Sequence, residues 1–404
     1  MTSAPPGKNL FTPEFLALCL VIVTAFCNVS VFYSFYYYLG IIDIPVVWRG
    51  FLVGLEPMAA FGLRLFVLPW LHVRNAYGVT MAALALLVVV SCSYLWVTTV
   101  AAMVLLRVIH GAVFVLLTSA VISLLVNFIP PEKSAQGFSA LSVATLIPYA
   151  AIPPLTEALL PQARNAADIY AGVSIFSVAA ILLMAALRKR IGRALEGMDA
   201  ALMRRSAITE IRDNFRQRAV VMLLISMFFI YLAHATFFYF MKNLSLQTGV
   251  GNVGLFFTVS MATMIFVRAF GAALFDRLNE MRLIRIALVL LILCLMALPG
   301  TDTLAFYYLL AVVYGGAMGI ALPILNALIF SASAPALRGL NTNMTLFAMD
   351  AGYFLTPYLG GTLITFGSDF GALFYIAAGF AIVSLALIIT LSNMERRVTR
   401  QTAA

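Results

Sequence analysis

Long apolar runs separated by short polar connections form the dominant pattern of the sequence. A helix needs about 20 mostly apolar residues to cross the hydrocarbon of a bilayer, and windows of this kind occur twelve times. They lie near 15–39, 46–70, 77–96, 98–128, 134–158, 168–188, 219–241, 250–275, 283–299, 303–332, 340–364 and 370–392. The pattern predicts an all-α integral membrane protein with twelve transmembrane helices.

The composition agrees with this pattern and excludes a soluble fold. Hydrophobic residues make up 63% of the 404 residues and charged residues only 10%, whereas soluble domains are roughly half apolar and a quarter charged. So few polar residues could not cover the surface of a soluble protein. The N-terminus lacks the short basic and apolar segments of a cleaved signal, so the first helix is expected to remain.

Basic residues predict the orientation of the helices. With both termini cytoplasmic, most Lys and Arg residues, including those of the 188–218 connection, lie on the inner side, as in other multi-pass proteins. The net charge of +9 then reflects topology and contact with anionic lipid headgroups, and nucleic acid binding is not expected. We expect a multi-pass protein of the cell membrane, specifically a bacterial inner membrane.

The only long hydrophilic segment divides the chain in half. It predicts an N-terminal six-helix bundle over 1–187, a cytoplasmic and partly amphipathic linker over 188–218, and a C-terminal bundle over 219–404. A shift of 204 residues places Gly50 on Gly254 and Arg64 on Arg268. Parallel six-helix repeats are typical of transporters whose halves rock around a central site.

Three motifs resemble those of the major facilitator superfamily. They are "GAALFDRLNEMR" at 271–282, "RVIHG" at 107–111 and "DAGYFLTPYLGG" at 350–361. The third is similar to a motif of the drug and metabolite efflux branch. The resemblance implies two six-helix bundles related by a pseudo-two-fold axis, and secondary active transport by alternating access.

The resemblance also implies a set of gating residues. In the second half these are Asp276 and Arg277 of the loop motif, and in the first half His72 replaces the acidic residue. Arg64 and Arg268 occupy equivalent positions in the two repeats, which favours a role for both in gating.

Ionisable residues inside membrane helices are the candidates for proton coupling. Each costs roughly 2.5 to 3.5 kcal/mol at mid-helix, so it is expected to face a cavity or a partner. Glu56, Asp350 and His110 form this group. Glu56 and Arg64 differ by about 12 Å of helical rise and cannot touch. The resemblance implies that the second and eleventh helices pack side by side, which would place Asp350 at a depth between Glu56 and Arg64, as a proton carrier or as part of an ion pair that latches the two halves.

Polar and aromatic residues of the membrane helices are the candidates for substrate binding. Arg107 can hold a carboxylate, and His110 shares its helix face at i+3; alternatively, Arg107 only braces its helix against Asn28. Aromatic side chains can stack on an organic ligand, unless they form an interfacial belt. The substrate-binding candidates are Arg107, Asn28, Tyr33, Tyr36, Phe237 and His234.

Proton-coupled efflux of a small organic molecule is the leading functional hypothesis. No P-loop motif occurs, which disfavours direct ATP drive, and no clustered catalytic set suggests an enzyme. Uptake of an organic anion or metallophore, and lipid flipping, stay open.

The four cysteines form no CxxC site. The expected partners are a small-molecule substrate, protons and membrane lipids; we expect no cofactor, no metal and a monomer.

Overall fold

The computed structural model describes residues 10–67, 73–125, 128–129, 134–195, 212, 215–275, 279–333 and 338–402. In these ranges the regular structure is entirely helical. The α-helices are α1 (Pro13–Ser30), α2 (Phe35–Ile41), α3 (Val46–Val67), α4 (Val73–Ser93), α5 (Val100–Leu125), α6 (Ser134–Leu159), α7 (Ala166–Leu195), α8 (Arg218–Thr248), α9 (Val253–Phe275), α10 (Glu280–Ala297), α11 (Leu304–Ala332), α12 (Arg338–Thr365) and α13 (Phe370–Thr402). The predicted all-α fold is confirmed.

Eleven stretches of the described chain are long and apolar enough to cross a membrane. One of them, Pro13–Ile41, combines α1 and α2. Helix α12 is not among the eleven, although its 28 residues are sufficient for a crossing. Its polar residues, which include Asn341, Thr345 and Asp350, lower the hydropathy of α12. The protein is therefore a multi-pass membrane protein, and α12 contains Asp350, one of the coupling candidates.

The first crossing helix is interrupted about two thirds of the way along its length. A 3₁₀ turn at Val31–Ser34 separates α1 from α2, where the apolar pattern predicts one continuous helix. The Ser30 hydroxyl donates to the carbonyl of Cys27. Such side-chain bonds to the backbone compete with regular helical pairing, and a 3₁₀ turn is a common irregularity at this kind of position.

Local signals at helix ends match the observed bounds. The Thr12 hydroxyl accepts a hydrogen bond from the amide of Phe15 at the start of α1, and the Asn279 side chain does the same for Arg282 in α10. Helix α8 ends at Gly249, whose φ of 69° lies in the left-handed region. These are the standard N-cap and C-cap arrangements.

The chain divides into two compact units. Unit 1 contains Met1–Phe32 and Gly62–Leu202, and unit 2 contains Tyr33–Phe61 and Met203–Ala404. Helix α2 and most of α3 therefore belong to the same unit as α8 to α13. The predicted boundaries at 187 and 219 remain a prediction, and the amphipathic part of the linker falls largely outside the described residues.

Candidate transport site

The best-defined polar cluster of unit 2 surrounds His234 of α8. The Nδ1 atom of His234 forms a hydrogen bond with the hydroxyl of Tyr314 in α11, and the two rings are nearly parallel, at 12°. The ring of Tyr353 in α12 meets the imidazole edge-on at 6.0 Å. His234 and Tyr353 are only partly buried, so this surface of unit 2 can be reached by a ligand.

Two charged residues lie near Tyr231, and one of them, Arg268, also lies near His234. Arg268 of α9 and Asp350 of α12 both interact electrostatically with the phenol of Tyr231, and Arg268 also acts on His234. Tyr231 lies one helical turn before His234, and their rings are 6.5 Å apart. We call Tyr231, His234, Arg268, Asp350 and Tyr353 the His234 cluster. It offers a cation, an anion, two phenols and an imidazole to a polar organic molecule.

The predicted ligand contact Phe237 supports this cluster from behind. It is completely buried, and its ring stacks on Tyr314 at 4.1 Å and contacts Phe257 at 4.9 Å. Because the phenol of Tyr314 is held by Phe237 on its face and His234 at its hydroxyl, the imidazole has a fixed orientation. In this conformation Phe237 positions the cluster rather than lining an opening.

The other two aromatic candidates in unit 2 are also enclosed. The ring of Tyr33 lies 5.5 Å from Phe257, and Tyr36 lies between Phe240 and Phe370 at 5.3 and 5.9 Å. Both tyrosines are at most 2% exposed. The hydroxyl of Tyr36 has no hydrogen-bond partner among the described residues. These rings pack tightly where α2 contacts α8.

Helix α3 packs closely against α12 in unit 2. A Cβ atom added to Gly50 would overlap the carbonyl oxygen of Pro357 and would lie 2.6 Å from the Cα of Gly361. Further along, the ring of Phe61 lies 4.1 Å from that of Phe347. These pairs show that the two helices run antiparallel, with backbones touching at the Gly50 end.

This register places the two buried acids near each other in depth. Gly50 is opposite Gly361 and Phe61 is opposite the segment around Phe347, so Asp350 lies at about the level of Phe61. Glu56 is five residues away, or about 7 Å along the helix. Glu56 is 7% exposed and Asp350 is 6% exposed. Their assignment to proton coupling stays a prediction.

In unit 1, Arg107 and His110 of α5 lie in an aromatic cage. The Tyr94 hydroxyl accepts a hydrogen bond from Arg107 at 3.4 Å and is hydrogen-bonded to Nδ1 of His110 at 3.0 Å. The guanidinium lies 5.3 Å from the centroid of the Phe32 ring, a cation–π arrangement. Phe32 in turn stacks on Tyr170 at 4.3 Å. Arg107 and His110 are each only 1% exposed, so this cage is closed to ligands in this conformation.

Asn28 joins three helices of unit 1 instead of facing an opening. Its amide nitrogen donates to the carbonyl of Thr24 and to the hydroxyl of Ser177 in α7, at 2.8 and 3.1 Å. Its amide oxygen accepts from Ser91 of α4 at 3.1 Å. A buried amide satisfied in this way stabilises the packing of α1, α4 and α7.

The gating candidates are only partly covered by the structure. Arg64 is 8% exposed and belongs to unit 1, whereas Arg268 belongs to unit 2 and joins the His234 cluster. His72, Asp276 and Arg277 lie outside the described residues. The gating assignments therefore stay predictions.

Sequence reasoning misses the tyrosines that hold both clusters. Tyr94, Tyr231 and Tyr353 are not among the sequence-based candidates. The internal repeat does point to one of the contact residues, because a shift of 204 residues places His110 on Tyr314. Both residues form a ring hydrogen bond, His110 with Tyr94 and Tyr314 with His234.

A prediction for Arg107 follows from its cage. Lysine keeps the charge but loses the planar group that packs over Phe32 and reaches Tyr94. Arg107 can meet a ligand only when the cage opens in another conformation of the transport cycle. If it does so as the sequence predicts, Arg107→Lys weakens substrate affinity about tenfold, the size of one hydrogen bond to a charged group. Ligand titration of the purified variants measures this, and unchanged affinity in both Arg107→Lys and Arg107→Ala would assign Arg107 to packing alone.

Comparison with known proteins identifies the class. The Major Facilitator Superfamily profile matches residues 18–349, and the chain belongs to this family of membrane transporters. Its fold is similar to the crystal structure of the nucleoside transporter NupG, with a TM-score of 0.71, 15% identity, and coverage of 94% of this chain and 98% of NupG. A point mutant of NupG gives a TM-score of 0.72 at 14% identity, covering 94% of this chain and 99% of the mutant chain.

A second solved transporter gives the same result. The peptide transporter POT, crystallised as a point mutant, has a TM-score of 0.73 and 13% identity, and the match covers 98% of this chain and 97% of POT. Identities this low establish the fold alone. Among curated proteins none matches. The expected superfamily is thus confirmed, and secondary transport is the general function of the chain.

Proposed function

We propose that the protein exports a small polar organic molecule in exchange for protons, and that the His234 cluster forms part of its binding site. The observation that supports this proposal most directly is a partly exposed imidazole and phenol, His234 and Tyr353, in one cluster with Arg268 and the buried Asp350. Charged groups inside a membrane protein generally mark an ion or substrate pathway.

The proposed chemistry assigns different roles to the members of the cluster. Arg268 attracts an anionic or electron-rich group of the ligand, and the rings of His234 and Tyr353 stack on its planar part. Asp350 of the cluster and Glu56 of α3, which lies outside the cluster, exchange protons with the cytoplasm and the outside as the transporter changes conformation. Coupling is thermodynamically reversible, so the proton gradient determines the direction of net transport.

Uptake of an organic anion is the second candidate function. The positive charge of Arg268 in the His234 cluster favours it. A cation in a partly exposed site can bind a carboxylate or phosphate as readily as a neutral ligand. Transport assays in both directions distinguish uptake from export when the interior of the liposomes is made either more acidic or more alkaline than the outside.

The experiment that tests the proposal is a ligand screen followed by transport. The purified protein is mixed with nucleosides, short peptides, organic acids and cationic drugs, and its melting temperature is recorded. A ligand present at 100 times its Kd stabilises by about 2.7 kcal/mol, which is easily detected. Hits are then tested in proteoliposomes with an imposed pH gradient; if pH gradients of either sign drive no movement of any hit, the proposed coupling is wrong.

The position of the site is tested with Tyr314→Phe. This change removes only the hydroxyl that holds His234, so we expect the screened ligand to bind about tenfold more weakly, because the imidazole loses its fixed orientation. Tyr307→Phe is the matched control, since Tyr307 is also buried in α11 but its ring packs on Phe256 instead. Equal affinities in the two variants would place the binding site elsewhere.

A further inference from the structure

Unit 1 has a crevice between the end of α6 and the start of α7, and its wall contains neither Arg107 nor His110. Its volume is about 360 Å³, within the range of about 300 to 1,000 Å³ that small-molecule sites occupy. The apolar part of its wall includes Ile152, Leu155, Ile169, Val173 and Phe176. Leu155 and Phe176 are exposed on the surface of the unit, so the crevice is open on a face that the hydrocarbon of the bilayer can reach.

One residue of the crevice wall contains a buried polar group without a partner. Thr156 is 1% exposed, and its hydroxyl makes no hydrogen bond to any described residue. Several other membrane-helix threonines donate to a backbone carbonyl, as Thr118 does at 2.9 Å and Thr236 at 3.0 Å. A buried hydroxyl that lacks this bond costs about 1 to 3 kcal/mol. An acceptor on a bound molecule would remove that cost.

A charged pair lies at the polar end of the same crevice. Asp168 lines it and accepts two hydrogen bonds from the Arg164 guanidinium, at 2.9 and 3.2 Å. The Arg164 side chain is 84% exposed and that of Asp168 is 25% exposed. One negative and one positive group are thus presented together, next to Gln162. The pair complements a headgroup that also has one charge of each sign.

We propose that this crevice binds one phosphatidylethanolamine molecule of the leaflet in which α6 ends and α7 begins. The lipid phosphate contacts Arg164 and its ammonium contacts Asp168. The Thr156 hydroxyl donates to an ester carbonyl of the glycerol backbone, and one acyl chain follows the apolar wall. The order along the crevice matches the order of groups in the lipid, because Thr156 lies one helical turn below the end of α6.

A substitution at Gly172 tests whether a lipid occupies the crevice. It lines the crevice, and a Cβ atom added there meets no atom within 4 Å. A Cβ atom at this position on the crevice wall therefore causes no clash, and we expect the larger side chain of Gly172→Leu to fill part of the crevice. Gly78 of α4 is the matched control, because it is also exposed and its added Cβ also meets nothing.

The experiment measures lipid adducts on the detergent-purified, delipidated full chain by native mass spectrometry. Phosphatidylethanolamine, phosphatidylcholine and phosphatidylglycerol with identical acyl chains are titrated in parallel. We expect one phosphatidylethanolamine to bind about tenfold more tightly than either other lipid, as hydrogen bonds to a primary ammonium provide. Gly172→Leu abolishes this adduct, and Gly78→Leu leaves it unchanged.

Two further variants separate the parts of the site. Asp168→Asn is expected to remove the preference for phosphatidylethanolamine over phosphatidylcholine. Thr156→Val, which keeps the shape but not the hydroxyl, weakens all three lipids severalfold, and Thr156→Ser restores binding. Retention of the phosphatidylethanolamine adduct in Gly172→Leu, or equal affinity for the three headgroups in the unmodified protein, overturns the proposal.

Discussion

Replacing Glu56 by glutamine, or Asp350 by asparagine, is expected to reduce proton-driven transport to the level of protein-free liposomes. Both acids are buried, at 7% and 6% exposure, and lie about one and a half helical turns apart in depth along α3 and α12. An amide has nearly the same shape as the acid but cannot release a proton. The measurement is accumulation of the screened substrate in proteoliposomes with an imposed pH gradient.

Two control variants test whether the loss of transport is specific to the buried acids. Glu157→Gln and Asp302→Asn make the same chemical changes at a half-buried residue near the end of α6 and an exposed residue before α11, and both should transport normally. Full pH-driven transport by both Glu56→Gln and Asp350→Asn would contradict the proton role.

The same variants also separate proton carriage from a latch. Loss of uphill transport with downhill exchange intact indicates that the acid carries a proton. Loss of both, together with a lower melting temperature, indicates an ion pair that holds a conformation. The buried location of both acids is compatible with either role, and the kinetic pattern decides between them.

The helices could be predicted well because hydrocarbon demands long apolar runs. The window 15–39 corresponds to the span Pro13–Ile41, and the window 283–299 corresponds to Glu280–Ala297. Errors concentrate where a helix continues beyond the apolar run. The window 168–188 ends before Leu195, the last residue of α7, because backbone hydrogen bonding continues through basic residues that no apolar pattern includes.

The site was less predictable, because its contacts join residues from different helices. The sequence could single out His234 and Asp350 as charged or polar positions in apolar runs. It could not show that Tyr314 holds His234, or that Tyr231 lies near Arg268 and Asp350, since these contacts depend on how each helix is rotated about its axis. Even the 204-residue repeat predicts only equivalent positions, and the partners at those positions differ.

The contact between α3 and α12 leads to the second large prediction, a loss of function in Gly50→Ala. A methyl group at Gly50 would overlap a backbone oxygen of α12 and would lie 2.6 Å from a backbone carbon of the same helix. Backbone atoms cannot rotate away as side chains can, so the two helices must separate. Overpacking of this kind costs about 1 to 3 kcal/mol, more than the gain of up to about 1 kcal/mol from replacing a helical glycine by alanine.

Gly62→Ala, in the same helix, is the matched control with the opposite expected sign. A Cβ atom added to Gly62 meets nothing within 4 Å, so only the gain in helix propensity remains and the melting temperature should rise. For Gly50→Ala we expect a lower melting temperature and at least about a tenfold slower transport, equivalent to about 1.4 kcal/mol. We expect slower transport because the variant disfavours every conformation in which α3 and α12 approach as closely as they do here. If both variants shifted the melting temperature in the same direction and both transported normally, the Gly50 contact would not be part of the moving machinery.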